Sequence, residues 1–155
     1  MNLFAWVRVV HVVSVILWIG GVSFVTSILL SPATSFESLD QRLKIFALVE
    51  RRFVWQARLM VLLAGGSGLW MMRILGGWHW LVQPSFWWLH LMLFTWTVFT
   101  VFLFVVEPLG HGRMKALVQR DPEVAWRRLR IMHVILWILL LVTVICAVAG
   151  SHGAF

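Results

Sequence analysis

Apolar residues run along this chain in four long blocks, with the charged residues gathered between them. The blocks are Asn2 to Leu30, Phe53 to Met72, Ser85 to Val106 and Ile131 to Gly150. A helix needs about 20 apolar residues to cross a bilayer core of about 30 Å, and each block reaches that length. The pattern predicts an all-α integral membrane protein, a four-transmembrane-helix bundle forming a single domain over residues 1–155. Ser31-Pro32 and Glu107-Pro108 follow the first and third blocks, where proline is expected to stop a helix. The first block is too long for a signal-peptide core and has neither a basic start nor a small-residue cleavage site, so it reads as a retained helix.

Composition supports this reading. Of 155 residues, 61% are hydrophobic and 12% charged, with a mean hydropathy of +0.91. A soluble core of this size cannot hide so much apolar side chain, so the expected solvent is the lipid bilayer. The net charge of +7 would be compatible with nucleic acid, but the cations are confined to two stretches between apolar blocks, as in cytoplasmic loops. No nucleic-acid role is expected. The single cysteine, Cys146, lies within an apolar block and has no internal disulfide partner.

The same cations orient the bundle. Arg42, Lys44, Arg51, Arg52 and Arg58 lie between or beside helices one and two, and Arg113, Lys115, Arg120, Arg127, Arg128 and Arg130 between helices three and four. The other face has only Arg8 and Arg73. The bias predicts inner basic loops and both termini outside the cytoplasm, which in a bacterium means an inner-membrane protein with periplasmic ends. Trp78, Trp80, Trp87 and Trp88 cluster at the outer interface, as an aromatic belt does.

Within this frame the histidines carry the candidate chemistry. His11 and His90 each lie roughly 8–14 Å below the outer face, counted at 1.5 Å per residue. Imidazoles at one depth on separate helices suit a bis-histidine haem b, and no acidic residue shares that leaflet. The competing reading is that each histidine only hydrogen-bonds across the bundle. Arg8 stands one turn above His11 on the same face, and Arg73 ends helix two on the same side; both are candidates to meet the propionates, or else snorkel to the interface. Gly20-Gly21, Gly65-Gly66 and Gly68 remove bulk where a flat macrocycle or a tight helix contact would sit.

His133 opens helix four on the opposite side, and Arg130-Ile131-Met132-His133 echoes Arg8-Val9-Val10-His11. Its vertical offset rules out the same iron, so it marks either a second haem or metal site, with His111 as a candidate partner, or a structural histidine. Met71, Met72 and Met92 would suit Cu(I), though they form no regular Met-x-x-Met array. His79 and His152 are outer-face residues, expected to be solvated. The sequence has no serine nucleophile motif, phosphate loop, H-E-x-x-H pattern or cysteine pair. The carboxylates Glu37, Asp40, Glu50, Glu107, Asp121 and Glu123 all fall at or beyond the inner interface.

The chain resembles the CopD-like membrane proteins and the related HemJ-type protoporphyrinogen oxidases over nearly its whole length. The likeness rests on His11 followed by Trp18-Ile19-Gly20-Gly21, on Glu50-Arg51-Arg52-Phe53 opening helix two, and on Trp88-Leu89-His90 opening helix three. It implies a four-helix core and either a haem-b oxidase or a protein of copper resistance or uptake. Where the HemJ type has a lysine two positions after the helix-three histidine, this chain has Met92. Where that type has an Asn-Glu-Pro stretch at the last helix, it has Ile131-Met132-His133.

The expected function is a haem-b membrane cytochrome, a haem-dependent oxidoreductase if it turns over. It would exchange electrons with a quinone or a redox partner protein on the periplasmic side, as a monomer or a homo-oligomer. Copper handling and HemJ-like oxidation are the alternatives.

Overall fold

A computed structural model describes residues 2–31 and 38–152, nearly all of them helical. Pro32 and Glu37 lie outside the described residues. Helix α1 (Leu3–Phe24) starts at Asn2, whose side chain accepts from the Phe4 amide at 3.1 Å, and passes into a π-helical segment, Val25–Leu29. Helix α2 spans Leu39–Ile74. Two short 3₁₀ turns, Gly77–Val82 and Pro84–Phe86, lead to α3 (Trp87–Val101). A second π-helical segment, Phe102–Val106, joins α3 to α4 (Glu107–Arg120), and α5 (Pro122–Ser151) completes the fold.

Two of the helices, α2 and α5, are longer than the apolar blocks predicted. α2 begins at Leu39 rather than near Phe53, because Ser38 caps it by accepting from the Gln41 amide and Asp40 faces the positive end of the helix dipole. At 1.5 Å per residue its 36 residues extend about 54 Å, well beyond a bilayer core. Its early turns bury Leu43 and Phe46, so the cations expected in a loop lie on a helix. Pro108 does not stop the third helix. The wider π turns before it shift the backbone register, and the proline takes a first-turn position of α4, where its missing N–H costs little. The expected basic loop before helix four contracts to a turn at Asp121, which caps α5 by accepting from the Val124 amide at 3.0 Å, with Pro122 in the first turn.

Three stretches are long and apolar enough to cross a membrane: Leu3–Leu29, Pro84–Arg120 and Pro122–Ser151. α2 falls short on composition, because Gln56, Arg58, Arg73 and its glycines dilute the apolar run. It is nonetheless the helix most deeply packed against α1, and the two run antiparallel. The Phe53 ring occupies the space that a Cβ on Gly21 would need, and further along α2 His11 meets Ala64. α3 pairs chiefly with α5, where buried Thr95 and Thr143 share a hydroxyl hydrogen bond of 2.7 Å. Lipid offers little hydrophobic drive between helices, so close packing at small residues and such polar ties hold the pairs together.

Two apolar clusters fill the interior. One joins Trp18, Val22, Val61, Phe99 and Leu140 at mid-bundle; the other joins Val25, Leu30, Leu43, Phe46 and Leu129 toward the basic end. Trp96 Nε1 donates to the Val61 carbonyl at 2.9 Å and Trp137 Nε1 to Ser23 Oγ at 2.9 Å, fixing α3 on α2 and α5 on α1.

Candidate functional site

Toward the end where α1 starts, α1, α2, α3 and α5 line a half-open cavity of about 630 Å³, within the range of about 300–1,000 Å³ usual for ligand sites. Its walls are almost wholly apolar. Trp80, Phe86 and Trp88 line it from the 3₁₀ turns and the start of α3, with Trp80 stacked on Phe86 at 5.2 Å and Phe86 tilted against Trp88 at 5.2 Å. Two of the four tryptophans expected in an interface belt thus pack on the cavity instead. α2 ends beneath this group, where the Leu75 amide donates back to Met71 and Gly76 adopts the left-handed backbone (φ 64°) that reverses the chain.

His11 lines this cavity. Its Nδ1–H donates to the Ala64 carbonyl at 2.8 Å, with Ser67 Oγ at 3.2 Å. A carbonyl can only accept, so the proton sits on Nδ1 and the lone pair on Nε2, which has no hydrogen-bond partner among the described residues. That is the tautomer a metal-ligating histidine adopts when a backbone carbonyl holds its other nitrogen. Gly68 makes the approach feasible: a Cβ there would lie 3.3 Å from His11 Cε1.

His90 is placed differently. Its Nε2–H donates to the Leu81 carbonyl at 2.9 Å, tying α3 to the preceding turn. Leu89, Met92, Leu93 and Trp96 of α3 line the cavity and His90 does not. Of the two histidines expected to share an iron, only His11 lines the cavity. Arg8 and Arg73 are exposed at the same end of the bundle and outside the cavity lining. His133 lies far along α5, where Nδ1–H donates to Leu129 at 2.9 Å and the ring meets Phe46 edge-on at 5.6 Å. His111 extends exposed from α4, 3.9 Å from Glu107 Oε1. His79 and His152 each donate from Nδ1 to a nearby backbone carbonyl. Among the described residues no group of three or more His, Cys, Asp or Glu is arranged to hold a metal ion.

The methionines singled out in the sequence as soft donors fall in the same place, whereas the roles of Trp18, Arg58 and Glu50 were not legible there. Met71, Met72 and Met92 line the same cavity as His11. Trp18, also in the lining, is buried with no partner for its indole N–H among the described residues. At the basic end, Arg58 Nη2 pairs with Glu107 Oε2 at 2.8 Å and Nε donates to the Leu103 carbonyl at 3.0 Å, while the guanidinium lies 5.4 Å from the Trp55 ring. Burial there, aided by the Glu107 charge, pushes the Glu50 carboxyl up to about 7. Set against known proteins, the chain matches no family model, no curated protein and no solved structure.

Proposed function

We propose that this protein is a haem-b membrane cytochrome that exchanges electrons at the outer side of the membrane, with His11 Nε2 as an iron ligand. One observation carries the reading: Ala64 holds the His11 ring by Nδ1, leaving Nε2 as the free nitrogen of a residue that lines the cavity. The donor set fits a haem. Among the described residues no three or more His, Cys, Asp or Glu stand together as a bare metal ion with those ligands would need, whereas a haem would require few ligands from the chain. Its flat apolar body suits the aromatic and aliphatic walls, and Trp18 offers a buried donor without an acceptor.

When bound, haem supplies reversible one-electron chemistry. The chain's own part is to orient the ligand, exclude water with the Trp80–Phe86–Trp88 group and offer cations at the rim. Arg8 lies one turn outward of His11, and Arg73 follows the cavity-lining Met72, which puts both at the level where propionates leave an apolar pocket. We assign α2 as a fourth crossing, since it accompanies the apolar α1 from Phe53 to Ala64, and the termini to the periplasmic face of a bacterial inner membrane by the charge bias. The electron donor is then a membrane quinol or a partner protein. The test is an absorption spectrum of protein purified in detergent after expression with ample haem. A Soret band is expected, and His11→Ala is expected to remove most of it; a wild-type spectrum without that band sinks the reading.

A second reading has its own observation. Met71, Met72, Met92 and His11 line one cavity, a soft donor set suited to Cu(I). Metal analysis finding stoichiometric copper and no haem would favour it.

A further inference from the structure

We propose that the second axial ligand is Met92, through its thioether sulfur, and not His90. The inference rests on the haem reading and assigns the iron's other face.

Residues 90 and 92 lie about 200° apart around a helix at 3.6 residues per turn, so only one of them can face the cavity. In the structure it is Met92. Leu89, Met92, Leu93 and Trp96 form one stripe at three- and four-residue spacing, and all four line the cavity. His90 falls off the stripe, with Nε2 committed to the Leu81 carbonyl. Ligation by that nitrogen would mean breaking this bond and turning the start of α3.

Depth gives the same answer, read against α2 as a common ruler. Trp96 Nε1 bonds the Val61 carbonyl, and its ring fills the space beside Gly65. Met92 stands one turn nearer the outer end of α3. Since α2 and α3 run in opposite directions, one turn outward from Val61 and Gly65 is the level of Gly65 and Leu69. His11 meets α2 at Ala64 and Gly68, the same level. The walls oppose each other, because α1 packs chiefly on α2 and α3 on α5. Met71 and Met72 line the cavity from α2, the helix to which His11 bonds, about a turn beyond Gly68, which leaves Met92 as the thioether on the opposite wall.

A histidine–methionine pair raises the haem potential relative to two imidazoles, because thioether sulfur favours the ferrous state. The full-length protein in detergent tests this directly. Wild type is expected to be low-spin in both oxidation states, to show the methionine-to-iron charge-transfer band of ferric haem in the far red, and not to bind CO when reduced. Met92→Leu, close in volume, is expected to lose that band, become high-spin and bind CO. Met92→His is expected to stay low-spin without the band and with a lower midpoint potential, which distinguishes loss of a ligand from loss of fold. His90→Gln keeps a donor for Leu81 and is expected to retain the wild-type spectrum. A bis-imidazole spectrum in wild type that becomes high-spin in His90→Gln and is unchanged in Met92→Leu overturns the assignment while keeping the haem. A wild-type protein with no Soret band overturns both.

Discussion

At the scale of single residues, depth and direction separate cleanly. Counting along a helix places a residue in the bilayer to within a turn, and His11 and His90 share a level by that count. Direction depends on which face the helix turns to its neighbours, and α3 is apolar all round, so its sequence shows no preferred face. Glycines behave in the same way. Gly65 and Gly66 are adjacent, yet a Cβ on Gly65 would overlap the Trp96 indole while one on Gly66 meets nothing within 4 Å. Gly65→Ala is therefore expected to destabilise the protein by about 2 kcal/mol, displacing Trp96 from Val61. Gly66→Ala is expected to be neutral or stabilising by up to about 1 kcal/mol from helix propensity. Thermal unfolding in a single detergent compares the two.

Glu50 has a titration of its own. Its carboxyl, ordinarily near 4.5, is pushed up to about 7 by burial, with the Glu107 charge adding to it. The folded state thus holds this proton where the unfolded chain has released it. Stability from this group is present below about 4.5 and declines as pH rises to about 7. Glu50→Gln is expected to flatten that part of the stability–pH curve. A slope in Glu50→Gln equal to that of wild type would assign the decline to another group.

At the scale of elements, the π-helical segments are what the hydrophobic pattern could not contain. Both lie at the C-terminal ends of apolar helices, toward the basic end of the bundle, and the second decides how α3 continues past Pro108. Leu103 lies in it, and its carbonyl takes Arg58 Nε while the next turn presents Glu107 to the same guanidinium. An arginine within the second apolar block is thereby paired and hydrogen-bonded rather than stranded. Arg58→Met or Glu107→Gln alone is expected to cost about 2 kcal/mol, because each leaves a partly buried partner uncompensated. The double variant is expected to cost less than the two singles together, a coupling that a double-mutant cycle measures.

At the scale of the whole molecule, the charge bias and the α1–α2 pairing make a joint claim about topology. If α2 crosses, Ser38 and Ser85 lie on opposite sides of the membrane. With Cys146 replaced, Ser85→Cys is expected to react with an impermeant maleimide in intact cells, and Ser38→Cys and Gln119→Cys only after lysis. Labelling of Ser38→Cys and Ser85→Cys from the same side would remove the fourth crossing. The elongated α2, and α4 running on from α3, extend the bundle beyond the apolar blocks at its basic end. The cations there stand on helices, where the hydropathy pattern predicted loops.

Sequence by itself determined the helical class and the long apolar stretches that suit a lipid environment, because these follow from composition, block length and the fixed rise of a helix. Ser38 and Asp121 are residue types that cap helices, but both lie outside the apolar blocks, so hydropathy alone does not mark them. Tertiary structure alone decided which side chains meet. The bond from His11 to Ala64 joins residues 53 positions apart, the turning of His90 to Leu81 depends on how the 3₁₀ turns fold back, and the cavity exists only once four helices are packed. Facing is a property of contacts between helices, and a helix apolar on every side does not record them in its own sequence.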